Sequence, residues 1–283
     1  MGSGAETHLP FGGTGRQVPR VGQGTWNMER NPRRAVAALR HGIGLGLTHI
    51  DTAEIYGNGA VEKLVGRAVA GRREDVFLVS KVHPARATRD RLQTACEASL
   101  RRLATEYLDV YLLHWLPPHP VEEVVAAFES LAETGRIRHW GVSNLDDTSL
   151  AEFVSAAGPG RIACNQVMHH LGERAIEHSI APWCRGRGIA VVGYSPFGGG
   201  RFPPRGGRRV LEDVAAATGA TPRQVALAFL LARSGGFTIP KASGLRHVEE
   251  NAAAAGLRLP QEALLLLDAA FPRGAPAPGV PLW

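Results

Sequence analysis

The stretch LTHIDTAEIYGN, Leu47 to Asn58, is a short apolar run that ends in a carboxylate and, five residues later, a phenol. Side chains of an extended chain alternate between faces. Leu47, His49 and Asp51 therefore share one face, and Thr48, Ile50 and Thr52 share the other. If the first face is buried, the strand ends on a charge, and a buried charge without a partner is costly. The stretch predicts a core strand, a turn at Gly57-Asn58, and a cation close to Asp51.

Seven more runs of this kind flank it. They are VGQGTW (21–26), VFLVSKV (76–82), LDVYLLHW (108–115), IRHWGVSN (137–144), IACNQV (162–167), IAVVGYSP (189–196) and GFTIPK (236–241). Helix-like segments lie between them. NPRRAVAALRHGIGLG carries Asn31 as a cap with Pro32 at the first helical position. TRDRLQTACEASLRRLA carries Thr88 as a cap. VEEVVAAFESLAETG ends at Gly135, and TSLAEFVSAAG, TPRQVALAFLLARSG, LRHVEENAAAAG and QEALLLLDAAF follow later. Strands alternating with helices imply parallel βαβ units. Eight repeats in one chain of this length imply an α/β fold of the (β/α)8 TIM barrel type, in a single domain spanning 1–283. A doubly wound sheet fits less well, because no G-x-G-x-x-G follows the first strand. HLPFGGTGRQVP, within residues 1–20, predicts an N-terminal β-hairpin over the barrel bottom, and residues 272–283 form a Pro-rich tail.

Composition narrows the function. The chain is 44% hydrophobic and 20% charged, an ordinary globular balance. No run approaches ~18 apolar residues, so no membrane span is expected. The N-terminus has no apolar leader core. Cys96, Cys164 and Cys184 are scattered and read as core thiols, with no metal site, so the expected location is the cytoplasm. The net charge of +6 comes from basic residues spread along the chain without a block of five, which argues against nucleic-acid binding. Lys occurs only at Lys63, Lys81 and Lys241. Lys63 belongs to an amphipathic helix pattern and is expected in solvent. Lys81 and Lys241 each end an apolar run.

Active sites of such barrels lie at the C-terminal ends of the strands. There the second strand presents Asp51 and then Tyr56, the third Lys81, and the fourth His114 and Trp115. The fifth ends on Ser143 and Asn144, the sixth carries Asn165 and Gln166, the seventh Tyr194 and Ser195, and the eighth Lys241. Lys81, on the neighbouring strand, is the expected partner of Asp51.

These segments, from GQGTW through HIDTAEIYGN, VSKV, LLHW, GVSN, NQV and YSP to IPKASGLRHVEEN, resemble the aldo-keto reductase superfamily in order and spacing. The resemblance implies NADPH-dependent reduction of a small carbonyl compound, as in bacterial members acting on aldehydes such as methylglyoxal. It implies a catalytic tetrad of Asp51, Tyr56, Lys81 and His114, with Tyr56 the proton donor. The nicotinamide is expected against Tyr194 with Ser143, Asn144 and Gln166 on its carboxamide. Gly24, Thr25, Trp26, Ser195, Pro196, Phe197 and Ile239 are expected around the cofactor. Lys241 and Ser243 are expected at a 2′-phosphate, and Glu250 and Asn251 at the adenine. Many relatives carry Arg six residues after that Lys; this chain has His247 there and Arg246 one residue earlier. The substrate pocket is expected between Trp26, Trp115 and Phe197. Arg201, Arg205, Arg208 and Arg209 are candidates to cover the pyrophosphate, and Trp283 to cover the pocket mouth. Family precedent favours a monomer.

The tetrad also has a physical rationale. A free Tyr has a pKa of ~10 and donates protons poorly near neutrality. A nearby ammonium favours phenolate, so Lys81 is expected to lower the pKa of Tyr56 while Asp51 holds Lys81 charged. Two other readings compete. Lys81 could be a Schiff-base lysine, against which the adjacent Asp51 argues, since it keeps the amine protonated. The barrel could also be a non-catalytic NADP-binding regulatory subunit.

Overall fold

Each of the eight predicted strands forms, and they form one sheet. The computed structural model describes residues 6–200, 202–204, 206–276 and 279–281. A hairpin comes first, β1 (His8–Pro10) paired antiparallel with β2 (Gln17–Pro19). The barrel strands follow as β3 (Gln23–Gly24), β4 (His49–Asp51), β5 (Phe77–Val82), β6 (Leu108–Leu113), β7 (Ile137–Ser143), β8 (Ile162–Met168), β9 (Ala190–Tyr194) and β10 (Phe237–Thr238). All neighbours are parallel, in sequence order from β3 to β10. The ring closes where β10 returns beside the chain around β3. Thr238 N donates to Arg20 O at 2.8 Å, Gly22 N to Thr238 O at 2.8 Å, and Gly24 N to Pro240 O at 3.2 Å.

The helices are α1 (Pro32–Gly44), α2 (Ala60–Val69), α3 (Arg89–Leu103), α4 (Val121–Glu133), α5 (Asp147–Ala157), α6 (Ile180–Arg185), α7 (Arg208–Thr218), α8 (Pro222–Ser234), α9 (Leu245–Ala254) and α10 (Gln261–Ala270). Their ends follow local chemistry. Asn31 Oδ1 accepts from Arg34 N, with Pro32 inside the first turn of α1. Thr221 and Gln224 form a reciprocal capping box at α8, and such caps are worth ~1 kcal/mol. Gly135, at φ +74°, ends α4 as expected. Thr88 holds the cap position of α3, but its side chain makes no capping bond. The stretch 198–209 is not all loop, since Arg208 and Arg209 open α7.

Period-two alternation splits the strands into two cores. Phe77 and Val79 of β5, Val110 and Leu112 of β6, Cys164 of β8, Val192 of β9, and Phe237 with Ile239 beyond it pack as the interior cluster. The alternate residues Ile50, Leu78, Tyr111, Leu113, Val167 and Val191 pack outward against the helices. The hairpin plugs the interior from below: Phe11 is fully buried against Phe77 and Phe237, with ring centroids 4.8 and 4.9 Å apart. Gly12, at φ +54°, touches the start of β8 so closely that a Cβ would lie 2.1 Å from Ala163 O. Lys63 is exposed on α2, as expected. Its neighbour Glu62 is fully buried, between the Ser80 hydroxyl and Arg102 Nε, both at 2.6 Å.

Candidate active site

Continuing the inward set by two residues past the apolar layers reaches the polar rim. Val79 is followed by Lys81, Leu112 by His114, Cys164 by Gln166, Val192 by Tyr194, and Ile239 by Lys241. Asp51 ends β4 in the same way. The cavity of about 470 Å³ at this rim is lined by Gly24, Thr25, Trp26, Asp51, Ile55, Tyr56, His114, Trp115, Ser143, Asn144, Gln166, Tyr194, Ser195, Ile239 and Lys241. Of these, Ile55 alone was not read from the sequence; its only signal was adjacency to Tyr56.

Lys81 is fully buried beneath the cavity floor. Its Nζ donates to Asp51 Oδ1 at 2.5 Å and to Thr52 O at 2.8 Å, and it lies 5.2 Å from the Tyr56 ring centroid. Asp51 is held on its other side: Gln166 Nε2 donates to Oδ2 at 2.7 Å, and the Thr25 hydroxyl donates to its carbonyl at 2.8 Å. Burial alone would lower the Lys81 pKa, but Asp51 and Tyr56 outweigh it and raise it above the ordinary lysine value. The ammonium is thus the stable form, which disfavours the Schiff-base reading.

The expected lowering of the Tyr56 pKa is not what the site produces. Burial pushes the phenol up, Lys81 pulls it down and Asp51 pushes it up again, with a net rise. Desolvation of the phenolate outweighs one ammonium that is itself partly neutralised by Asp51. His114 packs edge-on to Tyr56 with centroids 5.9 Å apart. Burial, Lys81 and His83 bring its pKa down to about 2, so the imidazole is neutral. Its Nδ1 is buried without a partner among the described residues. Trp115 stacks obliquely on His114 at 4.9 Å and meets His83 edge-on at 5.0 Å.

A polar network fixes the opposite wall. The Ser143 hydroxyl donates to Gln166 O at 2.8 Å, Asn144 Nδ2 to His114 O at 3.0 Å, and the Tyr194 hydroxyl to Asn144 Oδ1 at 2.9 Å. Asn144 and Ser195 hold left-handed φ values of +61° and +53°. Such strain is kept only where surrounding contacts over-determine it, and it clusters at functional sites. Gln166 donates one amide N–H to Asp51, and its side-chain oxygen accepts no hydrogen bond among the described residues. Sequence reasoning also missed Glu54. Its buried carboxylate accepts from His83 N at 2.8 Å and pairs with Arg86 at 2.9 Å, tying the Tyr56 loop to the loop after β5.

Several expected residues lie elsewhere. The sharp turn through Ser195 and Gly198 directs Phe197 out of the cavity. It packs against Phe202 at 5.1 Å beneath the Arg223 guanidinium at 4.3 Å, and with Pro196 it lines a neighbouring cavity of about 750 Å³. Lys241 makes no ion pair among the described residues, whereas Arg246, 84% exposed, runs along α9 to Glu250 at 3.2 Å. That pair engages both the guanidinium expected at the phosphate and the carboxylate expected at the adenine. His247 is exposed, Ser243 is half-buried and Asn251 is buried, all outside the cavity lining. Arg208 and Arg209 face solvent beside Glu212 and Asp213, at 2.8 and 3.9 Å. Arg201, Arg205 and Trp283 lie outside the described residues.

Comparison with known proteins agrees with this architecture. Residues 20–271 match the Aldo/keto reductase family. The methylglyoxal reductase YeaE of Escherichia coli is 47% identical over 262 residues, covering 90% of this chain and 92% of its own. An aldo/keto reductase from Klebsiella pneumoniae, solved with NADP and acetate, superposes with a TM-score of 0.93 at 40% identity, covering 98% of this chain and all of that one. The thermostable aldo-keto reductase Tm1743, solved with the inhibitor epalrestat, gives a TM-score of 0.87 at 38% identity over 93% of this chain and 99% of its own. The chain belongs to the aldo/keto reductase family.

Proposed function

We propose that the protein reduces small aldehydes and ketones, methylglyoxal among them, to alcohols with NADPH, and that Tyr56 gives the proton. The observation that carries this reading is the buried Lys81 ammonium between Asp51 and Tyr56 at the cavity floor. The cavity suits a nicotinamide nucleotide at both ends. Gln166 and Tyr194 both line it, with the Gln166 side-chain oxygen accepting no hydrogen bond among the described residues, and Lys241 at the rim makes no ion pair among them. Tyr194, Ser143, Asn144 and Gln166 would hold the nicotinamide, and Lys241 with Ser243 the 2′-phosphate. When bound, the reduced cofactor supplies a hydride to the carbonyl carbon.

The chain's own residues do the rest. A neutral His114 donates an N–H to the carbonyl oxygen and aims it at Tyr56. Tyr56, kept protonated across neutral pH by its raised pKa, passes its proton to that oxygen as negative charge develops there. The phenolate left behind faces Lys81, whose ammonium is preorganised by Asp51 and needs no rearrangement. Trp26, Ile55 and Trp115 close the cavity around the substrate and give it an apolar wall.

Loss of NADPH absorbance with methylglyoxal tests the activity. Tyr56→Phe should cut turnover by at least ~100-fold, the usual scale of a lost general acid. Its NADPH dissociation constant should stay within about twofold, since no cofactor contact is removed. A variant with near wild-type turnover would remove Tyr56 from the mechanism.

A further inference from the structure

A cluster of cations without an ion pair among the described residues lies where α1 and α9 meet. The two helices pack side by side, Ala38 and Val248 sharing one apolar cluster. His41 of α1 meets Glu249 of α9 at 2.9 Å, whereas two turns back, at the start of α1, Arg34 Nη2 lies 3.4 Å from where a Gly244 Cβ would stand. The helices therefore run with their N-termini together at the rim. Neither has an acidic residue in its first turn, and Gly244 offers α9 no side-chain cap.

Helix N-termini carry partial positive charge and favour anions, so cations there are unfavourable unless an anion joins them. This corner instead holds Lys241, Arg30 and Arg34, all exposed. No described residue accepts a hydrogen bond or ion pair from the side chain of Arg30 or Arg34. Burial and then Arg30 lower the Lys241 pKa, with Glu29 opposing them, which places Arg30 within electrostatic reach of Lys241. Glu29 does not neutralise the corner as an ion pair; its Oε2 is buried and unpartnered, and its side chain lies against Gly57. Arg246, the guanidinium next to the family's usual position, is taken by Glu250.

We infer that Arg30 and Arg34, reaching across from the start of α1, supply the guanidinium contacts to the 2′-phosphate of NADPH that Arg246 does not, and so set the preference for NADPH over NADH. This rests on the reading of Lys241 as a 2′-phosphate ligand and extends that site to a second wall. Two guanidinium groups of high pKa opposite a phosphate give charge-assisted, bidentate-capable contacts.

The test is a fluorescence titration of NADPH and NADH on wild type, Arg30→Gln/Arg34→Gln and Lys241→Ala, with 2′,5′-ADP as a competing probe and melting curves to verify folding. The double variant should weaken NADPH and 2′,5′-ADP by about tenfold or more and NADH by less than about twofold. Its NADPH affinity should also depend less on salt, since fewer exposed charges remain to be screened. If Lys241→Ala loses NADPH selectively while the double variant binds it like wild type, this inference fails and the cofactor reading stands. Equal losses for both nucleotides would place the two Arg on a group they share and overturn the inference. A wild type that binds neither nucleotide sinks both readings.

Discussion

His49 and Asp51 sit two residues apart on the inward face of β4, one at the bottom of the barrel and the other at the top. Both are buried, at 0% and 1% exposure, and both can carry charge. The Asp51 carboxylate is met by Lys81 and Gln166, and its backbone carbonyl by the Thr25 hydroxyl. His49 has no hydrogen-bond partner on either nitrogen among the described residues, and it is boxed edge-on by Phe11, Phe77 and Phe237 at 5.5, 5.8 and 6.2 Å. The same strand thus shows two ways to bury an ionisable group. At the bottom the group stays neutral: burial, with Lys81 adding repulsion, takes the His49 pKa to about 3. At the top the carboxylate is ion-paired with a lysine whose pKa is raised, which is what an electrostatic device requires.

The largest effect that would break this contrast comes from removing one member of the upper pair. Lys81→Met leaves Asp51 buried and unpaired, which should cost about 3–5 kcal/mol of stability. Turnover should fall at least ~100-fold as the phenolate loses its counter-charge. Asp51→Asn combined with Lys81→Met should recover much of the stability, read from melting curves, and none of the turnover. If the double variant recovers activity, the pair is structural.

The lower group sharpens the contrast through pH. With a folded pKa near 3 and an unfolded value of ~6.5, the unfolded chain takes up a proton first as pH falls. Stability from His49 is present above ~6.5 and is lost as pH drops towards 3, by up to about 1.4 kcal/mol per pH unit. His114 and several carboxylates add their own dependence, so the informative quantity is a difference. His49→Leu should flatten the acid limb of a urea-denaturation series by about one proton while NADPH affinity at pH 7 stays within about twofold. An unchanged acid limb would mean that His49 already titrates in the folded state.

The smallest effect concerns the pocket wall. Trp115→Ala should raise KM for an aromatic aldehyde by roughly tenfold, since a lost aromatic contact surface is worth one to a few kcal/mol. Phe197→Ala should shift it by less than about twofold, because Phe197 packs on Phe202 and Arg223 outside the cavity. A larger effect at Phe197 would mean that the two cavities join when substrate binds.

The sequence by itself determined which side chains share the rim. Alternation within a strand has a period of two, so once Val79 and Val192 are inward, Lys81 and Tyr194 must be inward too, and His114 and Lys241 continue the same alternation just past the ends of β6 and β10. Strand order followed from the alternation of elements, because parallel neighbours need a helix between them. Three matters were decided only by the tertiary structure. The turn after β9 sent Phe197 away from the site, through left-handed residues whose effect on direction no local pattern encodes. The Tyr56 pKa rose because desolvation depends on everything packed around a group, whereas a sequence shows only its charged neighbours. Closing the ring between β3 and β10 brought Arg34 to Gly244 and Arg30 within electrostatic reach of Lys241, some 200 residues later in the chain. The first turn of one helix cannot reveal which other helix start it will face, because barrel closure joins the two ends of the chain's order.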